Sequence, residues 1–261
     1  MKMVVTDLDG TLLRSDKSIS FHTLQVLEKL NAEGVKIAIA TARPPRIAVE
    51  ILPANFDNIY VICYNGAEIY HNGNLIYKKH MDVGTVKSIV DWFCANYPNV
   101  NLSLEIDNQL YTNFDISVMG WLPPYNQVDF RVFNHNETAK VMVDLSMLAD
   151  ISTVRNIIPA CCSMVVTDKM SLGQIAHSDV SKINAVKYLV NSFGYSLSDV
   201  IAFGDDYNDM DMVRECGIGV AMGNAEKDLK EIADIIAEIN DEDGVANVLE
   251  DIMLKGGFSE A

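Results

Sequence analysis

Short apolar runs alternate with amphipathic stretches over the first 80 residues of the chain. Leucines at helical spacing after Ser20 predict a helix that Gly34 can end, and the pair Pro44 and Pro45 predicts the start of a second helix. Buried strands are predicted at 3–6, 35–40 and 59–63. Because strands and helices alternate along the chain, we expect a parallel sheet with right-handed crossovers.

The pattern changes between residues 64 and 178. The dipeptides Asn65-Gly66 and Asn72-Gly73 are typical of hairpin turns and predict an antiparallel ribbon at 67–77 that leaves the parallel sheet. Further along, helices are predicted at 83–97 and 147–158, and strands at 101–106, 109–113, 140–145, 163–167 and 173–177. This mixture is typical of an antiparallel α+β fold.

The first pattern resumes after Ser181. Helices are predicted at 182–193, after Asn208 and at 227–233, and strands at 200–203 and 218–221. The predicted fold class is therefore α/β, with a Rossmann-like parallel-sheet core domain formed by residues 1–81 and 179–261 and an α+β domain inserted at 82–178.

Composition narrows the classes of partner. The chain has 261 residues, 49% apolar and 21% charged, as in ordinary globular proteins. Lys and Arg number 20 against 36 Asp and Glu, so the formal net charge is -16. This charge repels nucleic-acid phosphates and anionic membranes, and we expect neither as a partner. A phosphorylated ligand would need a local cation, a lysine or backbone amides at a helix end.

No feature of the sequence predicts secretion or a membrane span. Apolar runs fall short of the roughly 20 residues that a span requires, and Asp7 interrupts the first segment before a signal-peptide core could form. We therefore expect a cytoplasmic protein. The five cysteines are odd in number and include no CxxC spacing, so neither a disulfide framework nor a zinc site is predicted.

Acidic residues follow two predicted strands of the core domain. The sequence DLDGT runs from Asp7 to Thr11, and GDDYND runs from Gly204 to Asp209. In open parallel sheets, ligands bind outside the carboxyl ends of the strands, and so many oxygen-bearing side chains there need a cation or solvent to neutralise them. An all-oxygen site without nearby His or Cys favours Mg²⁺. Each motif alone could also be an Asp-rich turn or a helix cap.

Two further segments complete a possible site. Thr41 and Ala42 follow the second predicted strand, and Lys182 begins the helix after Ser181. Taken alone, a threonine at a helix start is usually a cap, and a lysine is usually exposed. These two segments become significant together with DLDGT and GDDYND. All four lie in the predicted core domain, at successive strand ends or at a helix start.

In this order the four segments resemble the haloacid dehalogenase-like superfamily of phosphotransferases, with DLDGT similar to its nucleophile motif and Asp205 to Asp209 similar to its acidic loop. Thr41 and Lys182 match its hydroxyl and lysine motifs. Three more segments, CYNGAEI, GVAMGNA and NDEDGVA, resemble its Cof-type sugar-phosphatase branch. The long interval between Thr41 and Lys182 places the insertion where this superfamily has its large α+β (C2-type) cap.

The resemblance implies a Mg²⁺-dependent phosphatase that hydrolyses small phosphate monoesters, with sugar phosphates expected, through an aspartyl phosphate. Asp7 would be the nucleophile, Asp9 the general acid and base, and Mg²⁺ would be held by Asp7, the Asp9 carbonyl and Asp205. Asp209 would support Lys182 or the metal waters, and the cap would close over the substrate. The residues implied in phosphoryl binding are Leu8, Thr41, Ala42, Lys182 and Asn208.

The sequence departs from this family pattern at two places. Lys182 lies in DVSKIN, where relatives often have glycine before the serine and after the lysine, and Asp206 occupies a variable position. Within the inserted domain, a group of aromatic and histidine residues could line a sugar pocket, although such residues more often form the core of a small domain. They are Tyr111, Trp121, Tyr125, Phe130, Phe133 and His135.

Other functions are also compatible with the sequence. A receiver-type signalling module also places acidic residues, a threonine and a lysine around one phospho-aspartate, but it is shorter and ends soon after its lysine. Within the enzyme class, a phosphomutase or a nucleotide or cofactor phosphatase is the alternative. A further one is a partner-binding cap over an inactive core, although no catalytic motif is missing. Substrate, oligomeric state and the role of Asp206 do not follow from the sequence.

Overall fold

The chain forms two compact units. The computed structural model describes residues 1–53, 58–119, 124–148, 151–167 and 171–258. The core unit comprises Met1–Lys78 together with the chain from Ser181 onward, and the inserted unit comprises Lys79–Val180. No helix in these described ranges is long and apolar enough to cross a membrane.

Both units contain strands and helices. The strands are β1 (Met3–Asp7), β2 (Lys36–Ala40), β3 (Tyr60–Cys63), β4 (Glu68–His71), β5 (Asn74–Lys78), β6 (Leu102–Ile106), β7 (Gln109–Thr112), β8 (Tyr125–Gln127), β9 (Lys140–Asp144), β10 (Cys162–Thr167), β11 (Leu172–His177), β12 (Val200–Gly204), β13 (Ile218–Ala221) and β14 (Ile235–Ile236). The helices are α1 (Phe21–Ala32), α2 (Pro45–Ile51), α3 (Val83–Asn96), α4 (Ile151–Ile157), α5 (Lys182–Phe193), α6 (Met210–Glu215), α7 (Lys227–Ile232) and α8 (Gly244–Leu254). Most predicted elements are present, whereas the sequence pattern does not predict β8, β14 and α8.

One sheet organises the core unit, in the order β14-β13-β12-β1-β2-β3-β4-β5. Neighbours from β14 to β3 run parallel, while β4 and β5 pair antiparallel. The expectation that the ribbon leaves the parallel sheet is wrong, because β4 turns back directly against β3 and extends the same sheet. Asn72 and Gly73 form the turn between β4 and β5 with φ values of 49° and 74°, as this dipeptide predicts.

Helix α5 shows how sequence pattern becomes packing in the core unit. The Ser181 hydroxyl caps it by accepting a hydrogen bond from the Asn184 N–H, and Gly194 ends it with a φ of 70°. Its apolar face packs against β1, β2 and β12. Burying each aliphatic side chain on such a face stabilises the fold by about 1.5–3 kcal/mol. The helix therefore presents its first residue, Lys182, at a defined place beside the sheet.

The inserted unit has its own sheet, in the order β10-β11-β9-β6-β7-β8. All neighbouring strands run antiparallel except β7 and β8, which run parallel. A core cluster joins α3 and α4 to alternate residues of β6, β9 and β11. The predicted α+β character of this part is confirmed.

Most of the aromatic candidates in the inserted unit belong to its packing. Phe130 is buried in the core cluster, and Tyr111 and Phe133 pack against that cluster. His135 is also buried, beside Phe130 and Phe133. Tyr125 donates a hydrogen bond from its hydroxyl to Asp115 Oδ1 at 2.8 Å. The remaining candidate, Trp121, lies outside the described residues.

Candidate active site

Three carboxylates meet at the carboxyl edge of the core sheet. Asp7 is the last residue of β1, Asp205 follows β12 directly, and Asp209 lies in the turn before α6. One oxygen from each carboxylate lies within 4.8 Å of the other two. The residues come together because β1 pairs in parallel with both β2 and β12, so the segments after these strands emerge side by side.

A buried lysine neutralises part of this negative charge. Lys182 is 1% exposed, and its ammonium donates hydrogen bonds to Asp7 and, at 2.7 Å, to Asp209 Oδ1. Burial lowers the pKa of Lys182, but the charges of Asp209 and Asp7 outweigh it and raise the pKa above its ordinary value. The alternative of an exposed surface lysine is therefore wrong.

Asp209 connects the lysine to the acidic loop. Its Oδ2 accepts hydrogen bonds from the backbone N–H groups of Asp205 and Asp206 at 3.0 and 3.2 Å. A Cβ at Gly204 would lie 2.4 Å from the Asp209 Cβ, so only glycine leaves room for this arrangement. Asp206 is exposed and accepts a hydrogen bond from the Tyr207 N–H at 2.7 Å. It caps the turn that follows β12.

The three carboxylates carry more charge than Lys182 balances. Burial raises the pKa of Asp7 well above its usual value, and the charges of Asp209 and Asp205 add to the rise, although Lys182 opposes it. Burial and Asp209 also raise the pKa of Asp205 to about 6, against the hydrogen bond that Thr11 donates at 2.8 Å. A divalent cation would relieve this repulsion, and an all-oxygen donor set suits a hard ion. The residues present therefore fit a metal ion.

Asp9 has different surroundings from Asp7, although both belong to DLDGT. Arg43 donates to its two carboxylate oxygens, from Nε at 2.6 Å and from Nη2 at 2.5 Å, and the Lys17 ammonium donates at 3.1 Å. Partial burial raises the pKa of Asp9, but the hydrogen bonds and charges of Arg43 and Lys17 outweigh it and lower the pKa. Asp9 is therefore a carboxylate held ionised by two cations.

The other predicted site residues lie on the segments that follow β1, β2 and β12. Thr41 is buried, and its hydroxyl accepts a hydrogen bond from the Arg43 N–H at 3.1 Å. Its carbonyl accepts one from the Asn65 N–H at 2.9 Å, and Asn65 Oδ1 accepts another from the Asn208 amide at 3.0 Å. Thr41 and Asn208 are thus linked through Asn65. Leu8 and Ala42 directly follow Asp7 and Thr41, respectively.

Sequence reasoning misses several residues of this site. Arg43 stands out in the sequence only as the residue after Ala42, and Lys17 carries no signal because its contact with Asp9 depends on the path of the intervening loop. Asn65 is marked only as a turn residue and as part of CYNGAEI, a segment to which the sequence assigns no role. Thr11 is part of DLDGT, but its hydrogen bond to Asp205 does not follow from that motif. Each contact joins segments whose approach the local sequence does not specify.

Comparisons with known proteins show which family and fold the chain resembles. The family model described as haloacid dehalogenase-like hydrolase matches residues 4–249. The chain is 27% identical to 5-amino-6-(5-phospho-D-ribitylamino)uracil phosphatase YcsE of Bacillus subtilis, over 95% of this chain and 94% of that protein. A solved structure from Thermotoga maritima matches with a TM-score of 0.84 at 25% identity, covering 96% of this chain and 97% of that one. A solved HAD subclass IIB sugar phosphatase, BT4131, matches with a TM-score of 0.80 at 25% identity, covering 97% and 100%.

A parallel α/β core that brings these acidic loops together, with an α+β insertion, defines the class of protein, and the chain belongs to the haloacid dehalogenase-like hydrolase family. It is a Cof-type member and a phosphatase. The predicted family, fold class and enzyme class are confirmed. The alternative of a non-enzymatic receiver module is wrong, because the matched family is one of hydrolases.

Proposed function

We propose that this phosphatase is Mg²⁺-dependent and hydrolyses small phosphate monoesters, with sugar phosphates as the substrate class, through an aspartyl phosphate on Asp7. The observation that carries the proposal is the buried ammonium of Lys182 between Asp7 and Asp209, with Asp205 beside them. A carboxylate that attacks a phosphate needs compensating positive charge, because nucleophile and substrate repel each other. Lys182 supplies part of that charge.

The metal would be held by Asp7, Asp205 and the main-chain carbonyl of Asp9. When bound, Mg²⁺ would neutralise phosphoryl oxygens and favour the approach of an anionic ester. Thr11 orients Asp205 for this role by donating to its Oδ1 at 2.8 Å. The hydroxyl of Thr41, the amides of Leu8 and Ala42, Lys182 and Asn208 would bind the remaining phosphoryl oxygens.

Asp9 would move the proton in both half-reactions. As an oxygen of Asp7 bonds to phosphorus and the ester bond breaks, Asp9 gives its proton to the leaving alkoxide. It then takes a proton from the water that attacks the aspartyl phosphate and releases phosphate. Arg43 and Lys17 hold Asp9 ionised in the free protein, so an incoming phosphate dianion must first raise its pKa by like-charge repulsion.

The inserted unit is proposed to act as a C2-type cap over the substrate, with domain bounds at 1–81, 82–178 and 179–261. The likeness to a sugar phosphatase supports sugar phosphates as substrates. The likeness to a phosphatase named for a phosphoribitylamino-uracil supports a nucleotide or cofactor precursor as the second candidate. A phosphomutase of this superfamily is a further alternative. We expect the enzyme to act in the cytoplasm on small metabolites.

The decisive experiment combines a panel of substrates with two isosteric variants. Phosphate release is measured from sugar phosphates, nucleotides, phosphorylated cofactors and p-nitrophenyl phosphate. Asp7→Asn keeps the shape but removes the nucleophile, so we expect less than roughly a hundredth of the parent rate. Asp9→Asn keeps the nucleophile and loses acid–base help worth about 10²–10⁴-fold. It should accumulate a hydroxylamine-sensitive phosphoenzyme that maps to the Asp7 peptide.

Two outcomes would contradict the proposal at different levels. If Asp7→Asn keeps more than roughly a hundredth of the parent rate, or if the phosphoryl label maps to Asp205 or to a histidine, the aspartyl-phosphate mechanism is wrong. If nucleotides or cofactors are turned over with a higher kcat/KM than every sugar phosphate, the substrate class is wrong, although the mechanism stands.

A further inference from the structure

Two adjacent cysteines of the inserted unit bring their thiols together. The Sγ atoms of Cys161 and Cys162 lie 3.9 Å apart. In an extended strand, successive side chains point to opposite faces, so adjacency in the sequence does not by itself produce this contact. Cys161 lies just before β10, where the Cys162 N–H donates to the Pro159 carbonyl at 2.8 Å. This turn at the start of the strand allows both thiols to lie on one side.

The two thiols differ in accessibility. Cys161 is exposed, whereas Cys162 is 9% exposed and packs in the core cluster of the inserted unit. The Thr85 hydroxyl lies 3.9 Å from the Cys161 Sγ, and the Cys161 carbonyl accepts a hydrogen bond from the Ser178 N–H at 2.8 Å. One thiol is therefore open to solvent, and the other is fixed beside it.

The surroundings limit the ligand that such a pair can take. Within the described part of the chain, the group of three or more His, Cys, Asp or Glu residues at metal-ligating distance is Asp7, Asp205 and Asp209. The cysteine pair thus has no third ligand of these types among the described residues, whereas a structural zinc site needs four. Soft sulfur ligands select soft centres. The cysteine pair therefore suits a soft ligand atom that needs only two sulfur ligands.

We propose that Cys161 and Cys162 form a dithiol site that binds trivalent organoarsenicals. These are soft, thiophilic compounds in which two groups on arsenic can be replaced by two thiols. An arsenical that carries two hydroxyl groups loses both to the two thiols. Two As–O bonds break, two As–S bonds form, and each thiol proton leaves in a water molecule. Arsenic stays trivalent and no electron is transferred.

The protonation of the pair suits this condensation. Burial, followed by the contact with Cys161, raises the pKa of the Cys162 thiol to about 12, so Cys162 carries its proton at neutral pH. A thiol that condenses with a hydroxyl group loses that proton to water. A simple divalent cation would instead have to displace it into solvent, at a cost that grows with the pKa.

The test uses phenylarsine oxide, which is hydrated to the required dihydroxy form in water, and the full chain with reduced cysteines. The intact mass should show one bound phenylarsenic group per chain. Alkylation followed by peptide mapping should show that both thiols of the peptide containing Cys161 and Cys162 are no longer free. The adduct should survive excess 2-mercaptoethanol and be removed by 2,3-dimercaptopropanol. Cys161→Ser and Cys162→Ser should each bind on the order of 100-fold more weakly, because chelation is lost. Cys94→Ser, which removes a half-buried cysteine elsewhere, should bind like the parent.

Three results would overturn the proposal. One is an arsenical adduct of Cys161→Ser that is as stable as the adduct of the parent. Because Cys161 is exposed, Cys161→Ser should keep the fold even if Cys162→Ser disturbs packing. Another is an adduct that maps to Cys63, Cys94 or Cys216. The third is protection of both thiols from alkylation by one equivalent of Zn²⁺, which would assign the pair to a cation instead.

Discussion

At Gly10 the backbone approaches the Asp205 carboxylate more closely than any side chain would permit. Its φ is 79°, and a Cβ there would lie 2.3 Å from Asp205 Oδ2. Gly73 offers a comparison, because its φ is 74° but no atom of the described residues lies within 4 Å of the position of a Cβ. The two glycines thus share a left-handed backbone and differ in what a methyl group would meet.

Gly10→Ala should therefore damage the site beyond its effect on the backbone. Both Gly10→Ala and the control Gly73→Ala carry the left-handed strain of roughly 1–2 kcal/mol. Only Gly10→Ala also displaces Asp205, so we expect kcat/KM to fall at least about tenfold and the Mg²⁺ concentration for half-maximal activity to rise. Steady-state kinetics in a Mg²⁺ titration measure both. Equal activity of the two variants would show that Asp205 does not hold the metal.

His135 makes the stability of the inserted unit depend on pH. The imidazole is buried, its Nδ1 has no hydrogen-bond partner among the residues that the structure describes, and burial lowers the pKa of His135. The unfolded chain, with a histidine pKa of about 6.5, therefore takes up a proton at a higher pH than the folded one. The stability that neutral His135 contributes is present above about pH 6.5 and is lost as the pH falls below it.

Replacing His135 should flatten this dependence. Phenylalanine suits the site, because Phe130 and Phe133 already surround the ring. We expect the urea midpoint of the parent to fall more between pH 7.5 and 5.5 than that of His135→Phe. Circular dichroism in urea at the two pH values measures the difference. An equal fall in both proteins would mean that other groups control the acid sensitivity.

At the level of elements, the loop after β13 braces both acidic loops. The Asn224 side chain donates to the Gly10 carbonyl at 2.7 Å and accepts from the Asn240 N–H at 3.0 Å. Two residues later, the Glu226 N–H donates to the Asp205 carbonyl at 2.9 Å. GVAMGNA and NDEDGVA are the two segments that resemble family segments but were given no role by the sequence. They therefore contact each other, and GVAMGNA also contacts DLDGT.

Asn224→Ala should lower activity while the fold persists. Without the amide, the loop that carries Asp9 and Gly10 loses its hydrogen bond from Asn224. We expect kcat to fall about tenfold, which corresponds to about 1.4 kcal/mol of transition-state free energy. KM should change less. Asn247→Ala is the control, since the Asn247 amide contacts Glu238 and the Glu242 carbonyl instead. If both variants lower kcat equally, the bracing by Asn224 is unimportant.

On the scale of the whole molecule, the protein is strongly acidic and so is its site. The formal net charge is -16, and the site groups three carboxylates with one buried lysine, which pairs with two of them. The net charge of the protein therefore repels an anionic substrate at long range, and the carboxylates of the site repel it at short range. A cation bound at the site would reduce this repulsion and allow phosphate esters to bind.

Removal of the metal should abolish activity. We expect EDTA to stop phosphate release, Mg²⁺ to restore it and Zn²⁺ to substitute poorly, because the donors are all oxygen. At limiting Mg²⁺, activity should also decline as the pH falls below about 6, where protonation of Asp205 competes with the metal. Saturating Mg²⁺ should shift this decline to lower pH. Full turnover in chelator would contradict the metal assignment.

The amino-acid sequence by itself determined most of the elements and the chemical groups at their ends, although not β8, β14 and α8. Apolar runs and helical spacing identified β1, β2, β3, β12 and β13, because strand and helix periodicity are local properties. The acidic motifs and their order, together with the long insertion, then identified the family. The resemblance to that family then selected Asp7, Asp205, Asp209 and Lys182, whereas the local pattern alone is equally typical of an Asp-rich turn, a helix cap or an exposed lysine.

Tertiary structure alone decided how these residues meet. Lys182 became a buried partner of two carboxylates, and Asp9 acquired Arg43 and Lys17, through approaches between segments far apart in the chain. The return of β4 onto β3, and the contact of Asn224 with the Gly10 carbonyl, depended on the same long-range geometry. Periodicity and turn signals describe neighbours in sequence, whereas burial, charge pairing and pKa depend on neighbours in space.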